Sequence, residues 1–123
     1  MAIHNILIVD DSPTERYYLT EILVKNGFNV STAENGEQAL AAIKSDKPHL
    51  ILMDVVMPGA NGFQVTRAIA RDPALLNVPI IICSSKNQET DRIWGLRQGA
   101  RAYLVKPVAP QALLDKIASL DVP

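Results

Sequence analysis

A doubly wound α/β fold, one parallel sheet of five strands alternating with five helices, is predicted by three observations. Short runs rich in Ile, Leu and Val recur along the chain, as in strands covered on both faces. Between them lie segments with helical start and stop signals, joined by connections too short for another architecture. Four of the apolar runs end on a polar residue: Asp10-Asp11, Asp54, Ser84 and Lys106. In an open parallel sheet the carboxyl ends of the strands share one edge, where ligands bind.

The first run covers 3–9 and delivers Asp10-Asp11. Ser12-Pro13-Thr14-Glu15 then offers an N-cap serine, a proline at the first helical position and a glutamate three residues after the cap. The first helix so begun carries Tyr18, Leu19, Ile22 and Leu23 on its apolar face and stops at Asn26-Gly27. A weaker strand is expected at 28–33. Asn35-Gly36-Glu37-Gln38 caps a second helix with a buried stripe of Ala39, Leu40 and Ile43, ended by Pro48. The central strand, Leu50-Ile51-Leu52-Met53, presents Asp54 at its end, and the run from Val55 to Gly62, with Pro58 and two glycines, is a loop. A third helix spans about Gly62 to Arg71 through Val65 and Ile69 and is stopped by Asp72-Pro73. The fourth strand covers 79–83. A polar loop from Ser84 to Glu89 leads to a fourth helix carrying Ile93, Trp94 and Leu96 and closed by Gln98-Gly99. The fifth strand covers 102–105, and Pro110 opens a last helix with Leu113, Leu114, Ile117 and Leu120 on its face.

The 123 residues are read as one domain, 1–123, and the 48% hydrophobic composition supplies a continuous core. Twelve basic residues against thirteen acidic give a formal net charge of −1, so bulk electrostatics recruit neither nucleic acid nor an anionic membrane. Cys83 is the single cysteine, which excludes an internal disulfide. Neither a secretory leader nor an apolar span of about 18 residues is present, so no membrane insertion is expected and a cytoplasmic location is. His4 and His49 have no Cys or His partner at metal spacing and are read as polar residues flanking strands.

Asp10, Asp11 and Asp54 would repel one another if gathered without a counter-charge. A divalent cation resolves the conflict, and an all-oxygen donor set with room for water describes Mg²⁺ better than Zn²⁺. Asp54 stands alone at the central strand's end and is the carboxylate best placed to attack an electrophile and form an acyl phosphate. Lys106 can pair with a phosphoryl oxygen as a point charge, and the Ser84 hydroxyl can hydrogen-bond another. An acid at one strand end is commonly a solvated loop residue or a cap. Polar groups at the ends of strands one, three, four and five together favour a shared site.

The motifs ILIVDDS, LILMDVVMPGANG, IIICSS and YLVKP, in that order and spacing, resemble those of the receiver domains of two-component response regulators over essentially the whole chain. The resemblance implies the flavodoxin-like strand order 2-1-3-4-5, which spacing alone does not give. It also implies that Asp54 is the phosphoacceptor, that Asp10 and Asp11 with Asp54 and the Val56 backbone carbonyl hold Mg²⁺, and that Ser84 and Lys106 sense the phosphate. A cis peptide between Lys106 and Pro107 is implied as well. Tyr103 would change rotamer with Ser84, and Trp94 and Tyr103 would lie on the partner face formed by the fourth helix, fifth strand and fifth helix. Val56 and Ser85, departures from the commoner residues at their positions, would modulate how water reaches the acyl phosphate.

A stand-alone receiver of this kind is expected to be a signalling switch rather than an enzyme, phosphorylated by a histidine kinase and read by a downstream motility or signalling protein. It would be a monomer, able to dimerise on phosphorylation. The segment from Ser85 to Gly95 looks most like receivers of the chemotaxis-like systems that control type IV pili and twitching motility. The competing readings are a flagellar-chemotaxis receiver, a phosphate sink, an interaction module that merely keeps the fold, and a Mg²⁺-dependent phosphatase with an aspartate nucleophile. The phosphatase needs an acid two residues after its nucleophile, where this chain has Val56.

Overall fold

The structure, a computed structural model, describes residues 3–121. Its elements are β1 (Asn5–Val9), α1 (Pro13–Lys25), β2 (Asn29–Ala33), α2 (Gly36–Ser45), β3 (Leu50–Met53), α3 (Gly62–Arg71), a 3₁₀ turn (Pro73–Leu75), β4 (Ile80–Ser84), α4 (Glu89–Arg97), β5 (Ala102–Val105) and α5 (Pro110–Leu120). All strand pairs are parallel, and the order is β2-β1-β3-β4-β5.

Because successive strand residues face opposite sides, each strand feeds two cores. Ile6, Ile8, Leu50, Leu52, Ile81 and Cys83 pack with Leu19 and Leu23 of α1 and Leu113 and Ile117 of α5. Leu7, Val9, Ile51, Met53 and Ile80 pack on the other face with Ala39 and Ile43 of α2 and Val65 and Ile69 of α3. A smaller cluster of Val55, Ile82 and Ala100 takes in Phe63 and Tyr103. Strand order reverses at β1 and β3, whose last residues Val9 and Met53 are paired, so the switch point falls just before Asp10 and Asp54.

Element boundaries agree with the sequence reading to within a residue or two, and the departures have local causes. The first run is strand only from Asn5, although Ile3 is already buried. The N-cap serine of α1 is in place, its side chain accepting from the Glu15 N–H, but the glutamate does not close the box. The Ser12 N–H is taken instead by Asp10 Oδ1 at 2.9 Å. In α2 the stripe narrows to Ala39 and Ile43, while Leu40 is 42% exposed. On α4, Ile93, Trp94 and Leu96 are all partly exposed, and the buried position is Gly95. A β-carbon there would sit 2.9 Å from Ile82 Cδ1 and 3.0 Å from Tyr103 Cδ2, so the missing side chain lets α4 lie close on the sheet. The histidines flank strands as read: His49 Nδ1 accepts the N–H groups of His4 and Asn5, each at 3.0 Å, tying the starts of β1 and β3 together.

Candidate functional site

Asp10 leaves β1 with every polar atom engaged. Its N–H donates to the Ala33 carbonyl at 3.0 Å and its carbonyl accepts from Arg16 Nη1 at 2.8 Å. Its carboxylate accepts from the Ser12 N–H through Oδ1 and from Lys106 Nζ through Oδ2, the latter at 2.7 Å. Asp54 leaves β3 with its N–H on the Val9 carbonyl at 2.9 Å and its Oδ1 3.3 Å from Lys106 Nζ. Asp10 and Asp54 are buried, whereas Asp11 faces solvent. The three aspartates offer carboxylate oxygens all within 4.8 Å of one another.

Lys106 reaches this cluster because its own N–H is held by the Ser84 carbonyl at 2.8 Å, which fixes the end of β5 against the end of β4. The following Lys106–Pro107 peptide is cis. Ser84 is fully buried, and its Oγ accepts from the Lys86 N–H at 3.1 Å. The Tyr103 hydroxyl donates to the carbonyl of the same Lys86 at 2.8 Å, while its ring sits among Val55, Ile82 and Phe63. One loop residue is thus gripped on its N–H by Ser84 and on its carbonyl by Tyr103.

Burial raises the Asp54 carboxyl above its ordinary value of 3.8, and the neighbouring charge of Asp10 adds to the rise, with Lys106 opposing it. For Lys106, burial works against the ammonium, but the hydrogen bond to Asp10 and the charges of Asp54, Asp10 and Glu15 outweigh it, so its pKa lies above 10.5. Burial also pushes the Tyr103 hydroxyl up. Burial pushes the Cys83 thiol up to about 12, which leaves it an inert core residue.

Three carboxylates face a single ammonium, so the ionised cluster carries uncompensated negative charge. A donor set made only of oxygen, with one member open to solvent, fits a hard divalent cation that keeps part of its water, as Mg²⁺ does. Val56, in the loop two residues beyond Asp54, has a 59% exposed side chain.

Of the residues singled out from sequence, Asp10, Asp11, Asp54 and Lys106 come together directly, and Ser84 joins through the backbone of Lys106. Tyr103 is one loop away. Trp94 stands apart, 48% exposed on α4. Sequence reasoning missed Arg16, whose guanidinium reaches back to the Asp10 carbonyl; one turn of helix after a DD-S-P start, a long donor on the sheet-facing side was the available signal. It also missed Gly62, where a β-carbon would lie 1.8 Å from the Asp54 carbonyl oxygen. Glu15 was read only as a cap partner, yet its Oε1 is buried with no hydrogen-bond partner among the described residues.

The pattern of the response regulator receiver domain matches residues 6–118. The chain belongs to the response regulator receiver domain family. Protein PilH of Pseudomonas aeruginosa is 54% identical over 112 residues, covering 91% of this receiver and 93% of PilH. Other curated relatives, at 36–38% identity, are covered over only 25–50% of their own length. Among solved structures, Vibrio cholerae chemotaxis protein CheY4 superposes with a TM-score of 0.89 at 30% identity, covering 97% of this receiver and 99% of that chain. A chain of the CheX-CheY-BeF3-Mg+2 complex from Borrelia burgdorferi gives 0.89 at 30% identity, with 98% and 90% covered. The family and the five-stranded fold inferred from sequence are thereby borne out, as is the expected likeness to pilus-system receivers.

Proposed function

We propose that this receiver is a phosphorylation-activated switch, in which Asp54 accepts a phosphoryl group from a histidine kinase. A carboxylate oxygen of Asp54 attacks phosphorus, the phosphorus–nitrogen bond to the kinase histidine breaks, and an acyl phosphate forms; water later cleaves it back to carboxylate and phosphate. The single observation that carries this reading is the Lys106 ammonium set between Asp10 and Asp54 at the switch point of the sheet. Once Asp54 is phosphorylated, that ammonium is free to pair with a phosphoryl oxygen. Ser84 Oγ accepts from the Lys86 N–H, and its hydroxyl has a proton to donate to another phosphoryl oxygen.

Asp10, Asp11 and Asp54, with the Val56 carbonyl, would hold Mg²⁺. When bound, the ion neutralises charge between the carboxylates and the incoming phosphoryl group. Asp10 remains the fixed wall of the pocket, because its backbone and both carboxylate oxygens are already anchored.

Drawing Ser84 toward a phosphate would loosen its hold on Lys86, which Tyr103 shares, and so convey the change to the face of α4, β5 and α5 that carries Trp94. The output is altered affinity for a downstream protein. A swing from 1:99 to 99:1 needs about 5.5 kcal/mol of differential binding. The similarity to PilH supports a place in type IV pilus and twitching-motility control, with residues 1–123 acting as one receiver domain.

Intact mass after incubation with acetyl phosphate and Mg²⁺ tests the chemistry. A labile gain of one phosphoryl group, abolished by Asp54→Ala, is expected; an unchanged mass would leave only an interaction module with a receiver fold. Phosphotransfer profiling against the host's histidine kinases tests the pathway, with a pilus-system kinase expected to donate fastest and a flagellar-chemotaxis kinase donating faster as the contrary result.

A further inference from the structure

We propose that Arg16 is a positioning residue for the metal pocket, acting through the backbone carbonyl of Asp10 rather than through any contact with the ion. The inference rests on the reading that Asp10, Asp11 and Asp54 form that pocket.

Arg16 lies one turn into α1, and its side chain is only 17% exposed despite its length and charge. A guanidinium withdrawn from water needs donors satisfied, and Nη1 is satisfied by the Asp10 carbonyl at 2.8 Å. Its Nη2 lies 3.9 Å from Glu34, which is 60% exposed and so contributes little. The contact that accounts for the buried posture is therefore the one to Asp10.

What that contact does follows from the geometry of Asp10. The residue sits outside the ladder of β1, at the point where the chain turns into the loop toward α1, so sheet pairing holds only its N–H, on Ala33. The carbonyl would otherwise point into the loop with no partner. Arg16 fixes it, and with the N–H fixed as well the Asp10 peptide planes cannot rotate. The carboxylate is then aimed by its own two bonds, from the Ser12 N–H and Lys106 Nζ. Asp11, the exposed member of the triad, follows Asp10 directly, and its peptide plane is the one whose carbonyl Arg16 holds. One guanidinium thus sets the relation between the buried and the exposed acid. Supporting groups of this kind commonly alter metal affinity by about 10–100-fold.

Backbone amide shifts recorded during titration with MgCl₂ alone, with no phosphodonor, test the proposal and report on the fold in the same spectra. Asp11→Asn in the otherwise unaltered chain is expected to weaken the response; failure of the unaltered chain to respond at these aspartates would remove the metal reading itself. Given a response, Arg16→Met is expected to weaken Mg²⁺ binding about tenfold. Arg16→Lys, which keeps a donor on a long stem, is expected to recover part of the loss, and Glu34→Gln to stay within about twofold of the unaltered chain. Should Arg16→Met fail to fold, Arg16→Gln, polar and too short to reach the carbonyl, carries the same expectation. Unchanged Mg²⁺ affinity in a folded Arg16→Met or Arg16→Gln chain overturns the proposal. So does equal weakening by Arg16→Lys and Arg16→Met, because a generic packing defect would then explain both.

Discussion

Asp54 is held in a position that opposes its own charge. Burial and the nearby Asp10 carboxylate raise its pKa above 3.8, so the folded chain binds its proton more tightly than the unfolded chain does. By linkage, stability then falls as pH rises from that ordinary value through the raised folded one. In metal-free buffer Asp54→Asn is expected to flatten that segment of the stability–pH profile and to raise the midpoint of thermal unfolding at neutral pH by a few degrees. A lowered midpoint would mean that Lys106 needs Asp54 more than Asp54 suffers from Asp10. Lys106 depends on pH in the same direction but in an alkaline window, its contribution being complete below 10.5 and lost as pH rises through its higher folded value. At this scale the sequence revealed the acids, the hydroxyl and the lysine, because each ends an apolar run. Arg16 and Gly62 were not legible for a physical reason. One acts by a side-chain bond to a backbone carbonyl six residues away, the other by the absence of a side chain, and neither alters hydrophobic periodicity.

Among the elements, α2 and α3 show how far pattern goes. Helical spacing put Leu40 beside Ala39 and Ile43, but a narrow contact with the sheet leaves Leu40 at 42% exposure and Ile43 at 6%. Ile43→Ala is therefore expected to cost about 2–5 kcal/mol and Leu40→Ser less than about 1 kcal/mol, both read from urea unfolding. Helix α3 begins with a complete capping box between Asn61 and Gln64, which the sequence reading did not single out. Its first residue, Gly62, passes so close to the Asp54 carbonyl that Gly62→Ala must displace backbone. The penalty should reach or exceed the upper end of the ~1–3 kcal/mol that overpacking typically costs. Phosphoryl uptake should fall with it, because the displaced atoms belong to Asp54.

Over the whole molecule, the two edges of the sheet have different tasks. The carboxyl edge gathers Asp10, Asp54, Ser84 and Lys106, while the amino edge is tied by His49 Nδ1 accepting two backbone N–H groups. His49→Ala should lower stability by about 1–2 kcal/mol in urea unfolding while leaving the rate of phosphoryl uptake unchanged. The presence of five strands and five helices was legible in chain order. The arrangement 2-1-3-4-5 was not, because periodicity carries no information on which strands are neighbours; it followed from the family's motifs and is the order observed. That order puts the ends of β1 and β3 side by side and so brings Asp10 and Asp54 under one lysine. Borohydride reduction of the chain treated with acetyl phosphate, followed by peptide mapping, tests most directly whether this arrangement makes one aspartate a phosphate store. The account predicts a single reduced position, Asp54, that appears only when Mg²⁺ is present; reduction at Asp10 or Asp11, or labelling at Asp54 that is indifferent to Mg²⁺, would contradict it.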